Sequence, residues 1–342
     1  LPILTTLFIL ILSIIGSAET LEVDDDAGES WYDETHVRTI QEAVDNASVG
    51  DSIFVYNGNY TNTVYINKSV QINGENADGV ICDYISIDGT GNFFEIRADD
   101  VSIQNLTISN VTSVTSESSA IWNHGNFSLF SNLNLIDNSN GIIINNSNNL
   151  TIATNLIENN EHGLQVSNSE NLEIFSNFML NNTLNGIELI NSVDIEIMDN
   201  SIENNGKGGI YFEEANDNII SHNQIINNAE FDIYLNLGNG NLFYDNFLNT
   251  AEKIDIAGEN NIWNITLTDN IDGRELNIIG GDWFGGNYWS EYNGVDIYSG
   301  SNQDILGADG IIDLAYDEPE ILIDYYPLTY VYNQLYVDDD AE

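Results

Sequence analysis

The chain has 342 residues, 55 of them acidic and six basic, for a formal charge of −49 at pH 7. So negative a surface excludes nucleic acid and anionic lipid as partners, because both need cations to meet phosphate. It suits saline water or divalent cations, which screen or bridge carboxylates, and one cysteine, Cys82, leaves no internal disulfide to stabilise the fold.

Residues 1–18 are an apolar run ending in small residues, with Gly16 and Ala18 at the −3 and −1 places of a cleavage site. They read as a secretory signal peptide lacking its basic start, with an uncleaved anchor as the alternative. Residues 19–72 predict an N-terminal cap and the first strands. Thr39 stands as N-cap with Glu42 three residues on, and Ile40, Ala43, Val44 and Ala47 recur at helical spacing. A helix there would cover the open apolar end of the first coil. Strands are predicted at 52–56, 63–66 and 69–72.

Residues 73–260 repeat. Gly141, Gly163, Gly186 and Gly209 lie 22, 23 and 23 residues apart, with Asp232 in the next place. Asn132, Asn155, Asn177, Asn200, Asn223 and Asn246 keep that step, as do Leu129, Ile152, Ile174, Ile197, Ile220 and Phe243. Within residues 171–193, short apolar alternations are broken by Asn, Ser and Thr, so each repeat reads as about three short strands joined by turns. Identical positions recurring once per repeat stack coil on coil, and parallel strands pair at about 4.8 Å. The fold class is all-β, a parallel β-helix. Asn suits its turns and can bond from coil to coil.

Residues 261–334 are an acidic, aromatic closing segment. The last residues, 335–342 (LYVDDDAE), echo 21–29 (LEVDDDAGE) and read as the start of a second tandem copy.

Two segments resemble a known family. THVRTIQEAVDNASVGDSIFVYNGNYTNTVYINKSVQINGEN (35–76) resembles the opening of archaeal cell-surface, NosD-like β-helix proteins. NIIGGDWFGGNYWSEYNGVDIYSGSNQDILGADGIIDLAY (277–316), followed by DYYPL (324–328), resembles their closing segment. With the Asn- and Gly-punctuated coils between them, the resemblance covers nearly all of 21–334. It implies a right-handed, pectin-lyase-like β-helix in a secreted or cell-surface protein. The family includes carbohydrate-acting and carbohydrate-binding members and a periplasmic branch tied to copper-centre maturation, so it implies no single activity.

The repeat also serves as a ruler for sites. The outward positions of the Gly-led strand read Trp122, Ile143, Gln165, Glu188, Tyr211 and Tyr234, a linear column suited to an extended glycan: rings give flat apolar area, and Gln and Glu bond hydroxyls. The plainer account is that exposed tyrosine is common on strands. Glu173 and Glu196 stack between inward-facing neighbours, about 5 Å apart as in retaining glycosidases, though pairs arise easily by chance among 55 acids. Asp296, Asn302, Asp304, Asp309 and Asp313 offer oxygen ligands for calcium, or an acidic turn that seals the last coil. Trp283, Tyr288, Trp289 and Tyr292 are expected to pack over that coil. The six basic residues show no shared register for a lyase base. His36, His124, His162 and His222 fall on different columns, away from Met179 and Met198, which argues against a copper site.

The reading is therefore a non-catalytic exported module: a rigid spacer that binds an extracellular glycan or cell-surface polymer, with calcium in its tail. The alternative is a polysaccharide lyase or glycoside hydrolase.

Overall fold

A computed structural model describes residues 18–84, 91–112, 118–249, 253–269, 276–318 and 322–330. The signal-peptide and tandem-copy readings, and Arg274, one of the six basic residues, lie outside the described residues. No helix among the described residues is long and apolar enough to cross a membrane.

The strands form three long sheets of 11, 10 and 9 members, parallel at every pairing within them. Each coil contributes one strand to each sheet, which is the β-helix that the repeat predicts. Inward columns are apolar and dry. Phe130, Ile152, Ile174, Ile197, Ile220 and Phe243 form one of them, and all are fully buried. Leu135, Ile157, Met179, Ile202, Ile225 and Leu248 form a second. Each such side chain contributes about 1.5–3 kcal/mol on burial.

The register corrects two positions of the sequence reading. Leu129 faces Thr151 while Phe130 meets Ile152, so Phe130 is the true member of that column. Asn132 likewise belongs one place earlier, beside Thr154, and it is Leu133 whose amide meets Asn155. The step here is 22 residues, since Leu129 pairs with Thr151, whereas Glu173 pairs with Glu196 at 23, and this one-residue difference hides the register.

Two long buried asparagine ladders run along the stack, beside a shorter one from Asn218 through Asn241 to Asn261. Asn155, Asn177, Asn200, Asn223 and Asn246 each donate to the next, at 2.9–3.0 Å, and Asn287 closes the row. Asn160, Asn182, Asn205 and Asn228 form the second, which Asp232 terminates by accepting from Asn228 at 2.9 Å. The glycine column has its own cause. A Cβ on Gly163 would lie 2.4 Å from the carbonyl oxygen of Gly186 in the next coil, so close backbone approach requires it.

The N-terminal helix spans Ile40–Asn46, with Thr39 as N-cap in a capping box with Glu42 and with Ile40, Ala43 and Val44 buried. At the other end Trp263 stacks on Phe243 at 4.3 Å, and buried Trp289 lies against Trp263 and Tyr316. The strand Tyr288–Trp289 continues the ten-stranded sheet, so part of the closing segment is itself a coil.

Candidate functional site

The outward column of the Gly-led strands is straight. Trp122, Ile143, Gln165, Glu188, Tyr211 and Tyr234 are register partners in successive strands. The register extends it at both ends, with Tyr65 and Glu95 before Trp122 and Asp255 after Tyr234.

Its chemistry is uneven along its length. Trp122 carries Arg97 over its ring at 5.0 Å and His124 edge-on at 4.0 Å. Gln165 donates to Glu188 at 2.7 Å, and the His162 Nδ1 lies 3.3 Å from the same carboxylate. Burial holds the His162 pKa below the usual imidazole value, against the pull of Glu188. Gln165 and Glu188 therefore engage each other rather than standing as separate hydroxyl binders.

Tyr211 and Tyr234 are nearly parallel, 8° apart with centroids at 5.3 Å, and Phe231 tilts against both. Each ring thus covers part of its neighbour, and the far side of Tyr234 looks toward Asp255. A cavity of about 470 Å³ opens here, lined by Lys207, Tyr211, Glu230, Tyr234, Lys253 and Asp255 among others. Lys207 and Lys253, which show no register in the sequence, meet at this cavity. The Lys253 ammonium is fixed by the Ala229 carbonyl at 2.7 Å.

The Glu173–Glu196 pair is in register as expected, but both side chains are exposed on a flat sheet face. The tail acids point at amides. Asp296 accepts from Gly310 at 2.8 Å, Asp313 from Ile297 at 2.8 Å, and Asp309 from Gly300 at 3.1 Å and from the Gln303 side chain at 2.8 Å. Asn302 and Asp304 are exposed. Among the described residues, the one group of three acidic, His or Cys ligands that meets is Asp24, Asp25 and Asp26.

A second cleft, of about 640 Å³, lies where the tail folds over the last coils, lined by Met198, Asp199, His222, Tyr244, Asp245 and Phe284 among others. By sequence Met198 falls away from the histidines, but the register brings Met198 and His222 to one wall, because Met198 pairs with Ser221. Asp199, His222 and Asp245 are left-handed turn residues, each directly before a ladder asparagine. Asp-Asn, His-Asn and Asp-Asn at the 23-residue step were the signal for them in the sequence.

The model of the family described as "Periplasmic copper-binding protein (NosD)" matches residues 44–294. Sequence comparison with curated proteins finds no match. Among solved structures, the A-module of Azotobacter vinelandii mannuronan C-5 epimerase AlgE4 is similar at 14% identity and TM-score 0.40, over 65% of this chain and 90% of that one. Alginate lyase from a Paenibacillus species is similar at 13% identity and TM-score 0.45, over 71% of this chain and 97% of that one. ORF18 of Geobacillus virus E2 is similar at 14% identity and TM-score 0.46, over 65% of this chain, which spans 54% of that protein. The family match runs from the capping helix to beyond the closing strand, over more than half of the chain and along the coils and end segments that the sequence singled out, and the chain belongs to the NosD family.

Proposed function

We propose that this protein is a non-catalytic, exported scaffold that binds an extended extracellular glycan on its nine-stranded sheet. One observation carries the reading: Tyr211 and Tyr234, with Phe231 beside them, border an open cavity on a straight column of outward residues. Rigid rings next to carboxylates and ammonium groups supply apolar area together with donors and acceptors for sugar hydroxyls. Binding centres on the Tyr234 end of the column, because Ile143 interrupts its middle and Gln165 and Glu188 bond each other.

The test is retention of neutral and acidic polysaccharides on immobilised full-length protein, with products analysed by chromatography. Wild-type protein retains at least one glycan without shortening it, and Tyr234→Ala weakens retention at least tenfold. Retention by that variant equal to wild type removes the column as the site, and release of shortened chains supports the lyase or hydrolase reading instead. Calcium held in the tail by Asp296, Asp309 and Asp313 makes the melting midpoint fall when EDTA removes it, and a midpoint unmoved by EDTA removes calcium from this reading.

The family description names copper, for which histidine is a usual ligand. His36, His124 and His162 occupy different places in the coil, whereas His222 shares its cleft with Asp199 and Met198.

A further inference from the structure

We propose that this cleft is a transition-metal site, with His222 and Asp199 as its protein ligands and Asp245 holding the imidazole from behind. The three residues stack in consecutive coils at a turn position that earlier coils fill with Asn132, Thr154 and Ser176. Only where the tail closes over the stack does the column become Asp, His and Asp.

Asp245 is 2% exposed. One of its oxygens accepts the Ile278 amide at 2.8 Å and the other meets His222 Nδ1 at 2.6 Å. An ionised carboxylate only accepts, so Nδ1 carries the hydrogen and Nε2 is the ligating nitrogen. A carboxylate behind a histidine fixes the ring and raises its basicity, the outer-sphere arrangement found behind many metal-bound imidazoles.

On the cleft side, Nε2 lies 3.7 Å from an Asp199 oxygen. That is long for a hydrogen bond. It fits two donors each about 2.0–2.2 Å from one shared ion. Asp199 is half exposed and the cleft holds about 640 Å³, which leaves room for water to complete the coordination. Imidazole with carboxylate selects zinc or copper over calcium, and Met198 adds a thioether to the same wall. The competing account is an imidazolium held between two carboxylates, which stabilises the turn and takes up no metal.

The experiment uses full-length protein stripped with EDTA and dialysed into millimolar calcium, which occupies the exposed carboxylates. Zinc uptake is then measured by calorimetry and copper(II) by electron paramagnetic resonance. The expected result is one tight equivalent of either ion, with a copper spectrum showing coupling to a single imidazole nitrogen. His222→Gln removes that nitrogen, Asp199→Asn weakens binding at least tenfold, and Asp245→Asn weakens it about 10–100-fold. Asp199 lies on the surface, so its variant decides the matter even if the Asp245 variant fails to fold. Equal uptake by wild type and His222→Gln, or a copper spectrum unchanged by that substitution, overturns the site and leaves the ion pair.

Discussion

Asp324 is fully buried where the tail meets the last coil, and it holds three donors: the Asn287 amide at 2.7 Å, the Trp289 indole at 2.9 Å and the Tyr326 amide at 3.1 Å. Gly286 must be glycine beside it, since a Cβ there would lie 1.7 Å from the carboxylate. The amide and indole hydrogen bonds favour the charged form, but burial outweighs them and pushes the pKa up from 3.8 to about 7. The folded state then binds this proton more tightly than the unfolded chain does. Its contribution to stability is full below about pH 3.8 and is lost as pH rises through 7. Between pH 5 and pH 8 the melting midpoint therefore falls, and Asp324→Asn flattens that fall whatever its effect on absolute stability. Calorimetry across that range checks it, and parallel slopes for the two proteins would refute the assignment. The sequence sets Asp324 at the head of the DYYPL run but gives no sign of its burial among 55 acidic residues, because burial by a returning tail is a tertiary fact.

At the scale of the element, the asparagine ladder holds the turns together. Asn200 accepts from the backbone and side chain of Asn177, and donates to Ile174, Met198 and Asn223, all at 2.8–3.0 Å. Removing it leaves several buried partners without a bond, each costing about 1–3 kcal/mol. Asn200→Ala is expected to destabilise the protein by roughly 3 kcal/mol in urea denaturation, whereas Asn132→Ala, at an exposed left-handed turn, costs about 1–2 kcal/mol. Equal losses would mean that the ladder is not what the asparagines contribute. The step of 22–23 residues made this ladder legible from Asn155 onward, together with the register of the outward column, because both keep one place in every coil, while the helix cap was legible from its own capping box. The turn column before the ladder stayed hidden for the opposite reason. Its positions share a left-handed backbone, which Asn132, Thr154, Ser176, Asp199, His222 and Asp245 all adopt, so composition varied where geometry did not.

At the scale of the whole molecule, in-register stacking has an electrostatic cost. Parallel coils set like residues over like, and Glu173 over Glu196 is the clearest case, two exposed carboxylates in direct register. Like charges placed so are destabilising by a few tenths to about 1 kcal/mol. With a net charge of −49, folding also gathers repulsion that an extended chain spreads out. Salt reduces this, since the screening length falls from about 30 Å at 0.01 M to about 3 Å at 1 M. The melting midpoint is therefore expected to rise by several degrees between those concentrations of sodium chloride. Glu196→Gln should raise the midpoint at low salt and change little at high salt, because screening already removes the repulsion it relieves. A midpoint that stays flat with salt would show that the stack bears its charge without penalty, and the acidic surface would then be no constraint on how many coils it can join.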